Sequence, residues 1–441
     1  MSDKPEQILE AYLARMVEIR STGGATTETS FYGPLENLLN RVGKTLKPRV
    51  IANGQLRNQG AGHPDFGLYT SDQCRGGEPT PGQGAVPERG VVEVKGLADA
   101  NWQTAESAQV SRYWRRYRLV LVTNYREFQL VGMDANEQPV RLEAFSLAAS
   151  DAAFWRACAS PRATAEAKGR AFVEYLRRAL VHLAPLTRPA DLAWLLASYA
   201  RDALARVEAA NVPALATVRG GLEQALGLRF EGEKGEHFFR STLVQTLFYG
   251  VFSAWVQWSR DHPPASGARF DWHAAGWSLH VPMVRNLFEQ VATPTRLGPL
   301  GLVEVLDWTG AALNRVDRAA FFAAFDAGRA VQYFYEPFLA AFDPELRKQL
   351  GVWYTPPEIV RYMVARVDSV LRSELKVADG LADPNVLVLD PCCGTGSFLV
   401  ETLNLIAARL REQGGDALLA QDLKRAAMDR VSASRSCPHP S

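Results

Sequence analysis

The sequence predicts an α/β domain, then an all-helical region, then the beginning of a parallel α/β domain, along a chain of 441 residues. Short apolar runs bounded by glycine and proline between residues 49 and 131 are typical of strands. Segments rich in alanine, leucine and arginine from 162 to 350 have helical spacing. A strand-like run at 386–389 continues through a glycine turn into a helical pattern at 397–410, which is typical of a parallel α/β unit.

The first third is predicted to fold as one α/β domain, residues 1–150. It begins with an amphipathic helix at 1–20, whose early acidic residues argue against an export signal. A loop rich in glycine and proline, 70–90, separates two of the predicted strands. The elements predicted after the first helix are strands at 49–52, 64–69 and 90–96, a helix at 102–117, and strands at 119–123 and 127–131.

Composition excludes several classes of function. The 49 lysines and arginines are balanced by 48 aspartates and glutamates, so nucleic-acid binding requires a local basic patch. The five cysteines contain no CxxC pair, which argues against a disulfide framework or a zinc module and favours a reducing cytoplasm. The most apolar run, 242–258, is shorter than the roughly 20 residues of a membrane span, and we interpret it as a buried helix.

Two carboxylates and a lysine are predicted to lie together on neighbouring strands of the first domain. Glu93 and Lys95 are two residues apart on one strand and therefore point to the same face. Asp65 joins them if its strand pairs with theirs. Such carboxylates can bind Mg²⁺, and the lysine can stabilise negative charge on a phosphorus oxyanion, which is the chemistry of phosphodiester hydrolysis. The alternative is a hairpin on which Glu93 and Lys95 form an exposed ion pair that adds little stability.

The helix after these strands carries Gln109 and Tyr113 one turn apart. With this QxxxY pair, the order of PD strand, EVK strand and helix resembles the PD-(D/E)xK nuclease superfamily, specifically the amino-terminal nuclease domains of single-chain restriction-modification enzymes. The resemblance implies that Asp65 and Glu93 are the metal ligands for Mg²⁺ and that Lys95 is the catalytic lysine. It also implies that Gln109 and Tyr113 are auxiliary catalytic residues.

Two further features bear on the same hypothesis. Sites of this kind often include an acidic residue on the preceding helix, for which Glu28 and Glu36 are both candidates. The QxxxY helix also interleaves arginines with aromatic residues, a pattern that suits a phosphate backbone and stacked bases or, equally, a solvated helix face. The arginines are Arg112, Arg115, Arg116 and Arg118, and the aromatic residues are Tyr113, Trp114 and Tyr117.

The strongest local motif lies in the last fifth of the chain. A hydrophobic strand ends in an acidic residue, and a turn containing glycine then leads into a helix, which makes a nucleotide-type crevice at the carboxyl end of the strand. The residues of this turn are Asp390, Pro391, Cys392, Cys393, Gly394, Thr395 and Gly396. By itself, the turn also fits a Rossmann-like junction for another cofactor. The two cysteines are interpreted as small turn residues.

This turn resembles the D-P-x-C-G-x-G motif of adenine-N6 DNA methyltransferases. Upstream, Tyr354-Thr355-Pro356 is similar to the other cofactor-side motif of that family, in which a turn opens the helix beside the pocket. The resemblance implies S-adenosylmethionine as cofactor and double-stranded DNA as substrate. The residues that it assigns to the cofactor are Tyr354, Thr355, Pro356, Asp390, Pro391, Cys393, Gly394 and Gly396.

The sequence departs from this family at the methylating step. That step needs an Asn/Asp-Pro-Pro-Tyr/Phe motif that holds the flipped adenine, and no such string occurs here. The acidic residue that should hold the cofactor ribose after the next strand is also not identifiable. We therefore expect the class I, Rossmann-like methyltransferase domain at 346–430 to be incomplete. The helical spacing before it predicts a helical connector at 151–345, and the residues after it, 431–441, are predicted to be a disordered tail.

These motifs predict a cytoplasmic restriction-modification protein of phage defence, related to single-chain type IIG and ISP enzymes. It would couple Mg²⁺-dependent DNA cleavage to adenine-N6 methylation, with a separate chain as the source of the missing methyltransferase and target-recognition segments. The alternative is a catalytically inactive fragment, or an accessory subunit that binds DNA or a partner protein. A third hypothesis is a nuclease in which the cofactor motif serves as a sensor of S-adenosylmethionine.

Overall fold

The structure is a computed structural model with two compact units, Met1–Ala324 and Phe325–Ser441. In its described residues, the first unit combines a six-stranded sheet with many helices, and the second contains a two-stranded sheet with helices around it. The residues that the structure describes are 4–22, 28–54, 61–74, 84–99, 107–133, 138–210, 213–226, 229–279, 285, 288–289, 291–325, 334–344, 355–391, 393, 396–412 and 419–433.

Helices predominate over strands in both units. The longer α-helices of the first unit are α1 Pro5–Ser21, α2 Tyr32–Gly43, α3 Ala108–Tyr117, α4 Asp151–Ala159, α5 Pro161–Val181, α6 Pro189–Ala209, α7 Pro213–Leu226, α8 Gly232–Asp261, α9 Leu302–Leu313 and α10 Arg318–Ala324. Those of the second unit are α11 Glu336–Phe342, α12 Pro357–Ser373, α13 Ser397–Glu412 and α14 Leu419–Asp429. The strands are β1 Val50–Gly54, β2 Phe66–Thr70, β3 Val91–Val94, β4 Val120–Thr123, β5 Glu127–Met133, β6 Pro139–Ser146, β7 Val388–Asp390 and β8 Val431–Ala433.

Strands β1 to β6 form one mixed sheet in chain order. Each neighbouring pair is antiparallel except β3 and β4, which run parallel and are joined by the crossover that contains α3. In the β2–β3 pair, Phe66 lies opposite Val92 and Gly67 lies opposite Val91. Strand β3 is thus paired with β2 on one side and β4 on the other, and α3 follows it in the chain.

The sheet is buried on both faces around β3. On one face, Val92 and Val94 join the larger core, which includes residues of α1, α2 and α5. On the other face, Val91 belongs to a smaller core with the aromatic residues of α3. Because alternate side chains of a strand point to opposite faces, Glu93 lies with Val91 on the α3 side of the sheet.

A buried guanidinium joins the edge of the sheet to the helical region. Arg178 of α5 donates hydrogen bonds to Glu143 of β6 at 3.0 Å and to Asp202 of α6 at 3.1 Å. It also donates to Ser198 of α6 at 3.1 Å, and Tyr199 donates its hydroxyl to Glu143 at 2.7 Å. Although burial opposes the charged form, Glu143 and Asp202 raise the pKa of Arg178, so the guanidinium stays ionised.

The second unit has a parallel pair of strands, β7 and β8, with α13 and α14 in the connection between them. Its small core includes Val360 and Val364 of α12, Ile406 of α13 and Ala426 of α14. The start of the region predicted as a disordered tail, Val431–Ala433, is a strand, because it hydrogen-bonds to β7 and packs beside that core. Residues 434–441 lie outside the described residues.

The predicted elements of the first domain largely coincide with the observed ones. The helix predicted at 102–117 is described from residue 108 onward. Strand β6 was not predicted, because this edge strand is mostly exposed and lacks a clean apolar alternation. The apolar run 242–258 lies inside α8, and across the described ranges we find no helix with the length and apolar character needed to cross a membrane.

We expect Arg178→Met to lower the free energy of unfolding of the first unit by about 3–5 kcal/mol, because Glu143 and Asp202 would remain buried without their counter-ion. Urea denaturation followed by tryptophan fluorescence measures this change. The matched control is Arg162→Met on the same helix, whose 82% exposed side chain pairs with Glu166. The control should change the free energy by less than about 0.5 kcal/mol. Equal effects of the two substitutions would contradict a stabilising role for the Arg178 network.

Candidate functional site

The start of β2 and the end of β3 bring two of the predicted site residues together. Continuing the β2–β3 register by one step sets Asp65 opposite Glu93. The backbone N–H of Asp65 donates to the carbonyl of Val92 at 3.1 Å, so the pairing extends beyond the first residue of β2. The two acidic residues therefore lie side by side at one end of the sheet.

Two donors from different elements hold the carboxylate of Asp65. Tyr32 of α2 donates its hydroxyl to Oδ1, and the backbone N–H of Val94 donates to Oδ2 at 2.7 Å. The ring of Tyr32 also packs against Phe66, with 5.2 Å between the ring centroids. Because hydrogen bonds to a charged acceptor are short and strong, these contacts keep the carboxylate in one orientation.

Glu93 and Lys95 form an ion pair that is largely shielded from solvent. Their Oε1 and Nζ atoms are 2.7 Å apart, and the Glu93 side chain is 2% exposed while that of Lys95 is 28% exposed. The alternative of an exposed surface pair therefore does not describe this pair, because one partner lies inside the fold. The backbone of Lys95 is anchored as well, since its N–H donates to the carbonyl of Thr123 in β4 at 2.9 Å.

The predicted QxxxY pair lies close to these charges. The amide of Gln109 donates to the hydroxyl of Tyr113 at 3.0 Å. Burial is the main cause of a raised pKa at Tyr113, and the hydrogen bond from Gln109 opposes it. The carboxylates of Glu93 and Asp65 raise that pKa further, while Lys95 lowers it. The phenol consequently remains a hydrogen-bond donor at neutral pH.

The two acidic candidates lie in different elements. Glu36 lies one turn after Tyr32 on α2, so the two residues share a face of the helix. Glu28 lies in the short 3-10 turn before α2. Because Tyr32 contacts Asp65, Glu36 is on the face of α2 that looks toward the site. Sequence reasoning missed Tyr32, although its i, i−4 spacing from Glu36 was a usable signal.

The donor set at this end of the sheet is small. In the part of the chain that the structure describes, no group of three or more Asp, Glu, His or Cys side chains is arranged to hold a metal ion. Within the described residues, Asp65 and Glu93 therefore supply the two carboxylates of this candidate site. This donor set still suits Mg²⁺, which proteins commonly bind through one or two carboxylates with water and substrate phosphates as the remaining ligands.

Helix α3 divides its arginines and aromatic residues between solvent and core. The expectation that Tyr113, Trp114 and Tyr117 stack on bases is wrong, because the three rings are buried against the sheet in the smaller core. The arginines are exposed, so this surface of α3 is a solvated basic face without accessible rings. The exposed arginines are Arg112, Arg115, Arg116 and Arg118.

The glycine turn of the second unit connects β7 to α13. Asp390 ends β7, Pro391 begins the turn, and α13 begins at Ser397. Gly396 has a φ of +81°, a conformation that L side chains rarely adopt, and its N–H donates to the carbonyl of Cys393 at 2.6 Å. The turn is therefore tight at the point where the helix begins.

The second predicted cofactor motif lies at the start of α12. Thr355 and Pro356 precede the helix, and the N–H of Val360 donates to the carbonyl of Pro356 at 3.1 Å. Two of the predicted cofactor-binding residues, Tyr354 and Gly394, lie outside the described residues. The described members of both motifs thus stand at the N-terminal ends of α12 and α13.

A buried carboxylate joins these two helices. Asp368 of α12 accepts a hydrogen bond from the N–H of Leu381 at 2.9 Å. It also pairs with Arg372 of the same helix at 3.1 Å and with Arg409 of α13 at 3.7 Å. These contacts fix α12 against α13 at the ends remote from the two motifs.

Comparison with protein families identifies this region. Residues 329–429 match a family described as N-6 DNA Methylase, and this range includes the turn from Asp390 to Gly396 and the start of α12. Residues 329–429 form an N-6 DNA methylase domain. A domain of this kind implies S-adenosylmethionine as the methyl donor. No match to a curated protein is found.

Solved structures with low sequence identity are also similar to this chain. A DrdV–DNA complex is 18% identical with a TM-score of 0.35, and the match covers 98% of this chain and 37% of DrdV. The ATP-dependent Type ISP restriction-modification enzyme LlaBIII bound to DNA is 17% identical with a TM-score of 0.35, over 81% of this chain and 21% of LlaBIII. A nuclease-deletion mutant of the Type ISP restriction-modification enzyme LlaGI, in complex with a DNA substrate mimic, is 19% identical with a TM-score of 0.31. This match covers 56% of this chain and 20% of the LlaGI chain. The chain thus spans well under half the length of each of these proteins.

We expect Tyr32→Phe to lower the free energy of unfolding of the first unit by about 1.5–3 kcal/mol, since Asp65 loses a hydrogen bond to its charged carboxylate. Urea denaturation of both proteins measures the difference. Tyr362→Phe is the control, because the Tyr362 ring is 68% exposed in the methylase domain. A Tyr32→Phe protein as stable as the control would show that the hydroxyl does not support Asp65.

Proposed function

We propose that this chain is part of a DNA restriction-modification enzyme that combines an Mg²⁺-dependent DNA endonuclease with adenine-N6 methylation. The observation that carries the nuclease proposal is the meeting of Asp65, Glu93 and Lys95 at one end of the β2–β3 pair. The Gln109–Tyr113 pair lies within electrostatic reach of all three. Double-stranded DNA is the proposed substrate of both activities.

In this proposal, Asp65 and Glu93 hold the Mg²⁺ ion, and Glu36 supplies a third carboxylate through a water molecule. When bound, the ion polarises the scissile phosphate and offsets part of its negative charge. The two hydrogen bonds to Asp65 keep its carboxylate in place before the substrate arrives. Because the Asp65 carboxylate is already oriented, it does not have to reorient during the reaction.

Lys95 supplies the cation for the chemical step. In the free protein, its Nζ is held 2.7 Å from Glu93, and it keeps 28% of its side-chain surface exposed toward an approaching phosphate. There it stabilises the charge that develops on the phosphorus oxyanion. The protonated hydroxyl of Tyr113, oriented by Gln109, donates a hydrogen bond at the same place. The arginine face of α3 contacts backbone phosphates, which gives binding a strong dependence on salt.

For the methylase domain, the proposal assigns S-adenosylmethionine to the two helix starts and the glycine turn. Support comes from the family match and from Gly396, whose positive φ lets the backbone approach a ligand closely. Because the sequence contains no Asn/Asp-Pro-Pro-Tyr/Phe string, the groups that hold the adenine come from another polypeptide segment. The proposed cofactor residues are Tyr354, Thr355, Pro356, Asp390, Pro391, Cys393, Gly394 and Gly396.

We expect Lys95→Ala to reduce the rate of Mg²⁺-dependent cleavage of plasmid DNA by about 100-fold or more, because the developing charge loses its cation. Gel analysis of supercoiled, nicked and linear DNA measures the rate. Lys44→Ala is the matched control, since Lys44 is exposed at the end of α2, away from the β2–β3 junction. Cleavage by the wild-type chain that Lys95→Ala leaves unchanged would refute the assignment of this site.

A second candidate function, an accessory subunit, is favoured by the apolar face of α12. This face is formed by residues at helical i, i+3, i+4 and i+8 spacing, and their side chains are about half exposed or more. Leu389 on β7 is 67% exposed as well. An exposed apolar stripe of this length is typical of an interaction surface. The residues of the stripe are Ile359, Tyr362, Met363 and Val367.

If this stripe contacts a partner polypeptide, the chain alone should bind a hydrophobic dye and self-associate. The double substitution Tyr362→Ser with Met363→Ser should reduce both effects, because it removes two neighbouring exposed members of the stripe. Arg366→Ser on the same helix is the control and should reduce neither. Dye fluorescence and light scattering report the two effects, and a monomeric wild-type chain that binds no dye would count against an accessory role.

A further inference from the structure

A cavity of about 490 Å³ lies in the first unit, away from the Asp65–Glu93 pair. Its walls come from the segment between α2 and β1, from the connection between α5 and α6, and from Arg89, just before β3. Volumes of about 300–1,000 Å³ are typical of small-molecule sites. Strand β3 separates this cavity from the candidate nuclease site, since Arg89 and Lys95 stand at its opposite ends, roughly 20 Å apart at 3.3 Å per residue.

Arg89 is a buried cation with an acidic neighbour, Glu88. Arg89 is 7% exposed, and its Nε atom has no hydrogen-bond partner among the described residues. Its acidic neighbour Glu88 accepts a hydrogen bond from Thr70. Burial lowers the pKa of Arg89, while Glu88 raises it. Because a buried guanidinium with an unused hydrogen-bond donor is unfavourable, a cavity lined by one is suited to an anion.

The backbone on both sides of Arg89, which lines the cavity, is held in place. Its N–H donates to the carbonyl of Leu68 in β2 at 3.0 Å, and the N–H of Leu68 donates to the carbonyl of Gly90 at 3.0 Å. Gly90 has a φ of +93°, and a Cβ there would lie 2.6 Å from the carbonyl oxygen of Leu119. The chain can therefore turn at this position only with glycine, which fixes the backbone beside Arg89.

The rest of the cavity suits a flat apolar group. Trp194 and Leu195 of α6 and Leu46 before β1 line it. The other charged wall residues are Lys47 and a bidentate pair at the rim, in which Arg188 donates to Asp191 at 2.7 and 2.8 Å. The rim pair is neutral as a unit and Lys47 is exposed, so Arg89 is the buried cation among these wall residues.

We propose that this cavity binds a small planar molecule that carries one oxyanion, with the oxyanion on Arg89 and the planar part against Trp194. The oxyanion is a phosphate or a carboxylate, since a guanidinium binds either through two parallel hydrogen bonds. This site is independent of the proposed nuclease and methylase activities. The ligand would tie the start of the sheet to the junction of α5 and α6.

Calorimetric titration of the full chain with adenosine 5′-monophosphate, indole-3-acetate and inorganic phosphate tests the site and distinguishes its two chemical classes. We expect one of the planar anions to bind with a dissociation constant of about 1 mM or tighter. Inorganic phosphate should bind at least about tenfold more weakly, because it lacks the planar part. If neither planar anion binds, or if inorganic phosphate binds as tightly, the proposal is wrong.

Arg89→Met should weaken binding of the planar anion at least about tenfold, since the charge-assisted pair is lost. The charge-matched control Arg162→Met, about 28 Å from the cavity along α5 at 1.5 Å per residue, should bind as the wild type does. Without ligand, Arg89→Met should melt no lower than the wild type, because it removes a buried cation whose Nε has no hydrogen-bond partner among the described residues. A large loss of melting temperature in Arg89→Met would instead identify Arg89 as a structural residue and overturn the proposal.

Discussion

The antiparallel register of β2 and β3 is the constraint on which the candidate nuclease site depends. A slip of one residue would move every side chain of β3 to the opposite face. Val92 and Val94 would then leave the larger core, and Glu93 would leave the α3 side where Tyr113 lies. The free energy of burying two valines thus holds a carboxylate in position. Site geometry at this end of the sheet is a consequence of apolar packing.

Two groups of charged residues inside the first unit, around Arg178 and around Glu93, differ in what surrounds them. Arg178 is enclosed by carboxylate and hydroxyl groups, and it joins β6, α5 and α6 without reaching solvent. Glu93 and Lys95 are also paired, but Lys95 keeps a solvent-facing side. A network that is complete within the protein stabilises the fold. An ion pair that is open to solvent on one side, such as Glu93–Lys95, can exchange one of its contacts for a contact with a substrate. This difference in exposure separates the structural Arg178 from the candidate catalytic Lys95.

In the methylase domain, helix α12 is held by both polar and apolar contacts. Asp368 connects α12 to α13 through Arg409, and the valines of α12 face the small core. The adjacent face of α12 remains largely apolar and exposed. The helix is therefore anchored on one side and available on the other.

The sequence by itself determined the local features of this protein. Periodicity placed Glu93 and Lys95 on one face of a strand and Gln109 and Tyr113 on one face of a helix, and the Asp390 turn indicated the methylase domain. These inferences succeeded because they depend on residues within one element. Only the tertiary structure decided the contact of Tyr32 with Asp65 and the burial of the α3 aromatic rings. It also decided the pairing of β6 with β5 and of β8 with β7. Each of these depends on residues that are distant in the chain, such as the 33 positions between Tyr32 and Asp65, and no local pattern encodes which surfaces such residues bury together.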